Sequence, residues 1–200
     1  VAANLIWGAA LLALLAAAAV TPLAWLLAPL LALPAVGVYR IAALIARGEP
    51  VSVADAFTAL ARFGGRAALV GALLLGAGAV FAANLVTGLE ARSVLGWSLA
   101  TFAGWGLVAT GVVAAIVWPL LVDPQRSGSR LRDTLRLTAL LALAHPLRFG
   151  GLAVVMLAIV AISTLAVVVV LSVAIGFSAL IACHYVLPAA DRFQAHAGGM

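Results

Sequence analysis

Residues 94–122, VLGWSLATFAGWGLVATGVVAAIVWPLLV, decide the fold. The run contains no ionisable side chain. As an α-helix it extends ~44 Å at ~1.5 Å per residue, enough to cross a hydrocarbon core of ~30 Å. Pro119 bends its last turn, and Asp123-Pro124 stop it.

Similar runs lie on both sides. Towards the N-terminus they cover 2–20, 23–46 and 67–87, punctuated by Thr21-Pro22, by Arg47-Gly48-Glu49-Pro50 and by Gly88 to Arg92. Pro29 and Pro34 fall inside the second run and predict kinks, which membranes tolerate. Towards the C-terminus, 149–187 would be ~58 Å long as one helix, about twice the hydrocarbon thickness. Two spans, 149–170 and 173–187, fit better, with a turn near Leu171-Ser172 or Gly176. The first run lacks a basic leader region and is followed by further spans, so it reads as a retained helix rather than a secretory signal.

Composition agrees. Of 200 residues, 66% are hydrophobic and 8% charged, with a mean hydropathy of +1.27. Soluble domains carry roughly 25% charged residues. So few charges cannot coat a globule in water, and the solvent must be largely lipid. The expected fold is all-α: a single polytopic transmembrane helix bundle over residues 1–200, with about six spans. The net charge of +5 comes entirely from arginine. Because those arginines sit between apolar runs, they point to anionic inner-leaflet lipids rather than to nucleic acid.

Arginine also orients the chain. Six spans place Arg40, Arg47, Arg62, Arg66, Arg126, Arg130, Arg132, Arg136, Arg148 and Arg192 on one side, and Arg92 alone on the other. This bias makes the first side cytoplasmic, with both termini there, in the inner (plasma) membrane of the cell. Trp7 and Trp118 then fall at the inner interface, and Trp25 and Trp97 at the outer. Trp105 lands mid-span, where its N–H needs a partner in a neighbouring helix.

Two cytoplasmic segments are expected to form interfacial amphipathic helices. Ser52 and Asp55 have capping-box spacing, and Val53, Phe57 and Leu60 recur at i, i+4 and i+7. The second segment follows Ser129, carries Arg130, Arg132, Asp133 and Arg136 beside Leu131, Leu135 and the run 139–144, and ends at His145-Pro146. Arg62-Phe63-Gly64-Gly65 recurs as Arg148-Phe149-Gly150-Gly151, each time between such a helix and an outward span. A duplicated unit and a chance match in an Ala/Leu-rich chain both account for the echo. In either case the glycine pairs offer a place for the chain to turn from surface helix into span.

Several chemistries lose support. Glu49, Asp55, Glu90, Asp123, Asp133 and Asp191 all sit at span boundaries or in loops. Ion-coupled carriers keep an intramembrane carboxylate, and acid–base catalysis needs a comparable group. His145, His184 and His196 lack metal-ligand spacing, and Cys183 stands alone, so no cofactor or metal is expected. His184 reads as a proton carrier or, more simply, as a hydrogen-bonding partner between helices. Asn84 with Thr87, and Ser163 with Thr164, either line a polar passage or bond neighbouring helices. Gly71, Gly76, Gly78, Gly104, Gly106 and Gly111 read as close helix contacts. The densest candidate surface for lipid or a partner is Arg126, Arg130, Arg132, Arg136 and Arg148.

A family resemblance rests on short motifs. Asn4 and Trp7, Pro34-Ala35, Tyr39-Arg40, Arg47-Gly48-Glu49, Val53, Phe57 and Arg62 resemble the YesL-like family of small bacterial multispanning proteins. Pro119, the helix from Arg130 to Leu137 and His145-Pro146-Leu147-Arg148 continue the pattern. Where members usually carry Thr-x-Gly-Pro-Ala, this chain reads Ala32-Leu33-Pro34-Ala35. The resemblance implies a place beside carbohydrate uptake, with a membrane transporter as partner. Together these readings predict a non-enzymatic accessory or interaction protein. The alternative is a carrier or channel for a neutral solute, built around Asn84 and Trp105.

Overall fold

The computed structural model describes residues 2–164 and 173–198; within them all regular structure is helical, with no strand. Helix α1 covers Ala2–Val20 and leads into a 3₁₀ segment, Pro22–Leu31. Then follow α2 (Ala32–Ala46), α3 (Val53–Glu90), α4 (Val94–Val122), a 3₁₀ turn (Pro124–Arg126), α5 (Leu131–Ala144), α6 (Pro146–Thr164) and α7 (Ile175–Gly198). Four segments are long and apolar enough to cross a membrane, and a fifth if α5 and α6 count as one bent span. The expected turn at Leu171-Ser172 lies outside the described residues. Gly176, the other expected position, lies within helix α7.

The 23–46 run is not one α-helix. Proline at positions 22 and 29 removes two amide donors, and the chain there adopts 3₁₀ geometry before α2 begins. Its end is a Schellman closure: Gly48 N–H donates to Ile45 O (3.0 Å) and Glu49 N–H to Leu44 O (2.9 Å). Gly48 has φ 71°, so Gly48→Ala is expected to cost about 1–2 kcal/mol, read as a lower melting temperature in detergent.

Residues 53–66 do not form a separate surface helix. They are the start of α3, whose 38 residues run through Gly64-Gly65 without a break. Glycine weakens a helix but removes no hydrogen bond, whereas proline would. The buried stripe Ala56, Ala59, Phe63, Ala67, Val70 keeps helical spacing across the glycines. Val53, Phe57 and Leu60, the expected apolar face, are exposed rather than packed beneath the bundle. At the second copy of the echo the chain does turn: α5 and α6 meet at 103°. Proline after His145 disfavours helical geometry there, and His145 leaves it (φ −137°, ψ 58°). The two copies thus differ in local structure, although Phe63 and Phe149 are both buried in one core.

That core gathers Val36, Tyr39, Ala43, Ile116, Leu120, Leu141, Cys183 and Val186 around the two phenylalanines. It lies towards the arginine-bearing helix ends. The far half of the α3–α4 hairpin is bare: Leu73, Val80, Val86, Leu95, Phe102 and Trp105 are exposed, as residues facing lipid would be.

Candidate functional site

Four segments end together at the arginine-bearing pole. Arg47 is the C-terminal cap of α2, set there by the Gly48 closure. Asp123 follows α4, where its side chain accepts from Gln125 N–H, and Arg126 closes the 3₁₀ turn behind it. Asp191 comes from α7.

Their side chains form a closed ring of alternating charge. Arg47 grips Asp123 through Nη2–Oδ2 (2.7 Å) and Nε–Oδ1 (3.2 Å). It grips Asp191 through Nη1–Oδ2 (2.5 Å) and Nη2–Oδ1 (3.2 Å). Arg126 bridges the same two aspartates, pairing with Asp123 through Nη1 and with Asp191 through Nη2. Gln194 Oε1 accepts from Arg126 Nη2 at 2.8 Å. Two positive and two negative groups cancel. The cluster is buried on its inner side and open at Asp191: the Asp123 side chain is 0% exposed, those of Arg47 and Arg126 are 11% and 12%, and that of Asp191 is 38%.

Such a cluster tolerates no vacancy. Desolvating a charge costs several kcal/mol, and only a well-placed partner offsets it. The hydrogen bond from Arg47 lowers the pKa of Asp191 below the usual aspartate range, with Arg126 assisting. The same bond raises Arg47 above its ordinary value. A carboxylate with a depressed folded pKa contributes stability that is full above the unfolded value, ~3.9, and lost as pH falls through the folded one. Melting temperature is therefore expected to be flat with respect to this group from pH 5 to 8 and to drop below about pH 4; for Asp191→Asn that acid-side drop should be smaller.

The connector after α4 collects further arginines. Arg40 Nη1 donates to Val122 O (2.8 Å), Arg66 Nη1 to Ser129 O (2.9 Å) and Arg62 Nη2 to Ser127 O (3.4 Å). These carbonyls lie at or beyond the end of α4, where acceptors lack helical partners. Four arginines, Arg40, Arg47, Arg62 and Arg66, thus fasten α2 and α3 to one short connector, and Arg126 ties that connector to α7.

Arg126 consequently leaves the expected contact group, because the ring consumes its guanidinium. Arg130, Arg132 and Arg136 remain exposed on α5. Arg148 is exposed and its guanidinium lies 4.7 Å from the Tyr185 ring centroid. The polar intramembrane candidates do not converge. Trp105 is 69% exposed, so its indole faces outward rather than into a neighbouring helix. It borders a cleft of about 490 Å³ lined by Val108, Val112, Ala142, Leu143 and other apolar residues, and Asn84 is not among them. Asn84 is half-buried on α3. His184 is exposed and forms no hydrogen bond among the described residues, in place of the expected helix-to-helix bond. The side chains of Ser163 and Thr164 lie outside the described set.

Among the described residues no group of three His, Cys, Asp or Glu side chains could hold a metal. No family model, curated protein or solved structure matches the chain.

Proposed function

We propose that the chain is an integral membrane accessory protein of the YesL-like type, non-enzymatic, which presents a rigid arginine-bearing face to the cytoplasm. In this reading it crosses the bacterial inner membrane about six times, with both termini inside. The first part of α3 and the whole of α5 lie at the cytoplasmic boundary. Anionic inner-leaflet lipids and a transporter are its partners, and the resemblance implies that the transporter imports carbohydrate.

One observation carries the proposal. The pole is locked by a neutral, closed ring, while Arg130, Arg132 and Arg136 stay exposed on α5 beside exposed Leu135, Leu140 and Leu143. A helix with arginines and leucines both outward suits a headgroup layer or a partner at that depth. Arg62 and Arg66 reach the connector, so about 24 residues of α3, ~36 Å, remain to span the bilayer. The neutral-solute alternative gains nothing from the cleft beside Trp105, whose lining offers sugar hydroxyls no polar partners.

The test is photocrosslinking in native membranes from position 132, with position 92 as the comparison. A single transporter subunit captured from 132, and lost when Arg130 and Arg136 are both glutamine, is the expected result. Solute uptake by liposomes containing the purified chain alone would overturn it.

A further inference from the structure

A second basic cluster lies on another face of the same helix end. On α7, Asp191 and Gln194 turn towards the ring, whereas Ala189, Arg192, Phe193 and His196 line a half-open cleft of about 360 Å³. His145 and Arg148, from the sharp corner between α5 and α6, complete its wall. No carboxylate lines it.

Its arginines differ in partners from the others in contact at this pole. Arg47 and Arg126 are neutralised by aspartates, whereas Arg40, Arg62 and Arg66 donate to backbone carbonyls, Arg62 lying also 5.5 Å from the Phe63 ring centroid. The Arg148 guanidinium carbon lies 4.7 Å from the Tyr185 ring centroid, and its nitrogens have no carboxylate or carbonyl partner among the described residues. Arg192 is tethered only at Nε, which donates to Pro188 O at 3.1 Å. Its two terminal nitrogens have no partner among the described residues. His196 Nδ1 bonds Arg192 O at 2.7 Å, which fixes the ring and leaves Nε2 as the free edge. The cleft also sits where α6 begins, so the helix dipole adds positive potential to the two guanidiniums.

We propose that this cleft binds a phosphate group carrying two negative charges. Two forked guanidiniums match a phosphate geometrically and in charge, and the imidazoles add hydrogen bonds. The proposal rests on the membrane placement given above but not on the accessory role. With α6 entering its apolar run at Phe149 and α7 leaving its own at Leu187, the cleft lies at headgroup level. Phe193 and Ala189 supply an apolar wall on which an acyl-linked glycerol could rest. The phosphate can belong to a lipid such as phosphatidic acid or to a small soluble molecule, and the chemistry of the cleft is the same for both.

The experiment is native mass spectrometry of the full chain in detergent, titrated with phosphatidic acid or with phosphatidylcholine, with inorganic phosphate as competitor. One phosphatidic acid per chain is expected to be retained in preference to phosphatidylcholine. Arg148→Gln and Arg192→Gln should each weaken retention about tenfold or more, since each removes a charge-assisted contact. Arg92→Gln, at the opposite pole, should leave it unchanged, and Arg148→Lys should keep part of it. Displacement by inorganic phosphate would assign the site to soluble phosphate, and resistance to it would assign the site to the lipid headgroup. Equal retention by wild type and both glutamine variants, with all chains eluting as folded species, would overturn the proposal. So would an equal loss in Arg92→Gln, or binding of neither phosphate source. None of these results bears on capture of a transporter from position 132, so the two readings fail separately.

Discussion

Asp123→Ala is expected to destabilise the folded bundle by about 3–5 kcal/mol, the largest effect of any single substitution at the arginine pole. Asp123 accepts from Arg47 and Arg126 and its side chain is fully buried. Its loss leaves two largely buried guanidiniums facing one carboxylate, Asp191, which is itself only partly buried. Asp123→Asn keeps the shape and loses only the charge, so it should cost nearly as much. Arg47→Met combined with Asp123→Leu removes a neutral pair and should cost less than the two single changes summed, because neither ion is left alone. Arg132→Ala, an exposed position on α5, should stay within about 0.5 kcal/mol of wild type. Unfolding of the wild type, these variants and the two single changes in mixed micelles under increasing SDS gives the comparison directly.

Gly88→Val should separate α3 from α4 at a cost of about 1–3 kcal/mol or more. A Cβ at Gly88 would meet Gly96 O at 2.6 Å and Ala100 N at 2.7 Å. Both are backbone atoms of the facing helix, so relief requires moving that helix. Gly106 is also close-packed, but there the Cβ would meet the Phe81 ring, which can rotate, so Gly106→Ala should cost less. Gly76 has open space around it, and Gly76→Ala should be neutral or stabilising by up to about 1 kcal/mol, the helix-propensity difference. The same SDS titration measures all three. A larger loss at Gly76 than at Gly88 would contradict the observed packing.

These glycines show where sequence reading succeeds. That small residues permit close helix approach was legible, and Gly71 against Ala32 and Gly106 against Phe81 bear it out. Gly76, Gly78, Gly104 and Gly111 have nothing within contact distance, because composition does not say which side of a helix meets a neighbour. Helix ends were legible where proline or glycine changes the backbone, as at Gly48 and His145-Pro146. Gly64-Gly65 misled because glycine permits a turn without requiring one, and Ala56, Ala59, Phe63, Ala67 and Val70 already carried an unbroken helical stripe.

The ring was the larger omission. Arg47, Asp123, Arg126 and Asp191 were each visible at the ends of apolar runs assigned to one side of the membrane. Counting arginines alone, as orientation requires, passed over the two aspartates at the same ends. Their partners lie 76 and 144 residues apart in sequence, so only the packing of α2, α4 and α7 brings them together. The usable signal was balance: equal numbers of Arg and Asp beside helix ends that must meet.

Cysteine accessibility in intact cells tests the membrane account most directly. In a chain with Cys183 replaced by alanine, single cysteines would be placed at Glu49, Arg92, Gly128, Ser172 and His196. Labelling by an impermeant reagent from outside only at 92 and 172 is the predicted result: six spans, with the ring and the exposed α5 arginines in the cytoplasm. Labelling of 49, 128 or 196 from outside would place the arginine pole on the wrong side and contradict the account.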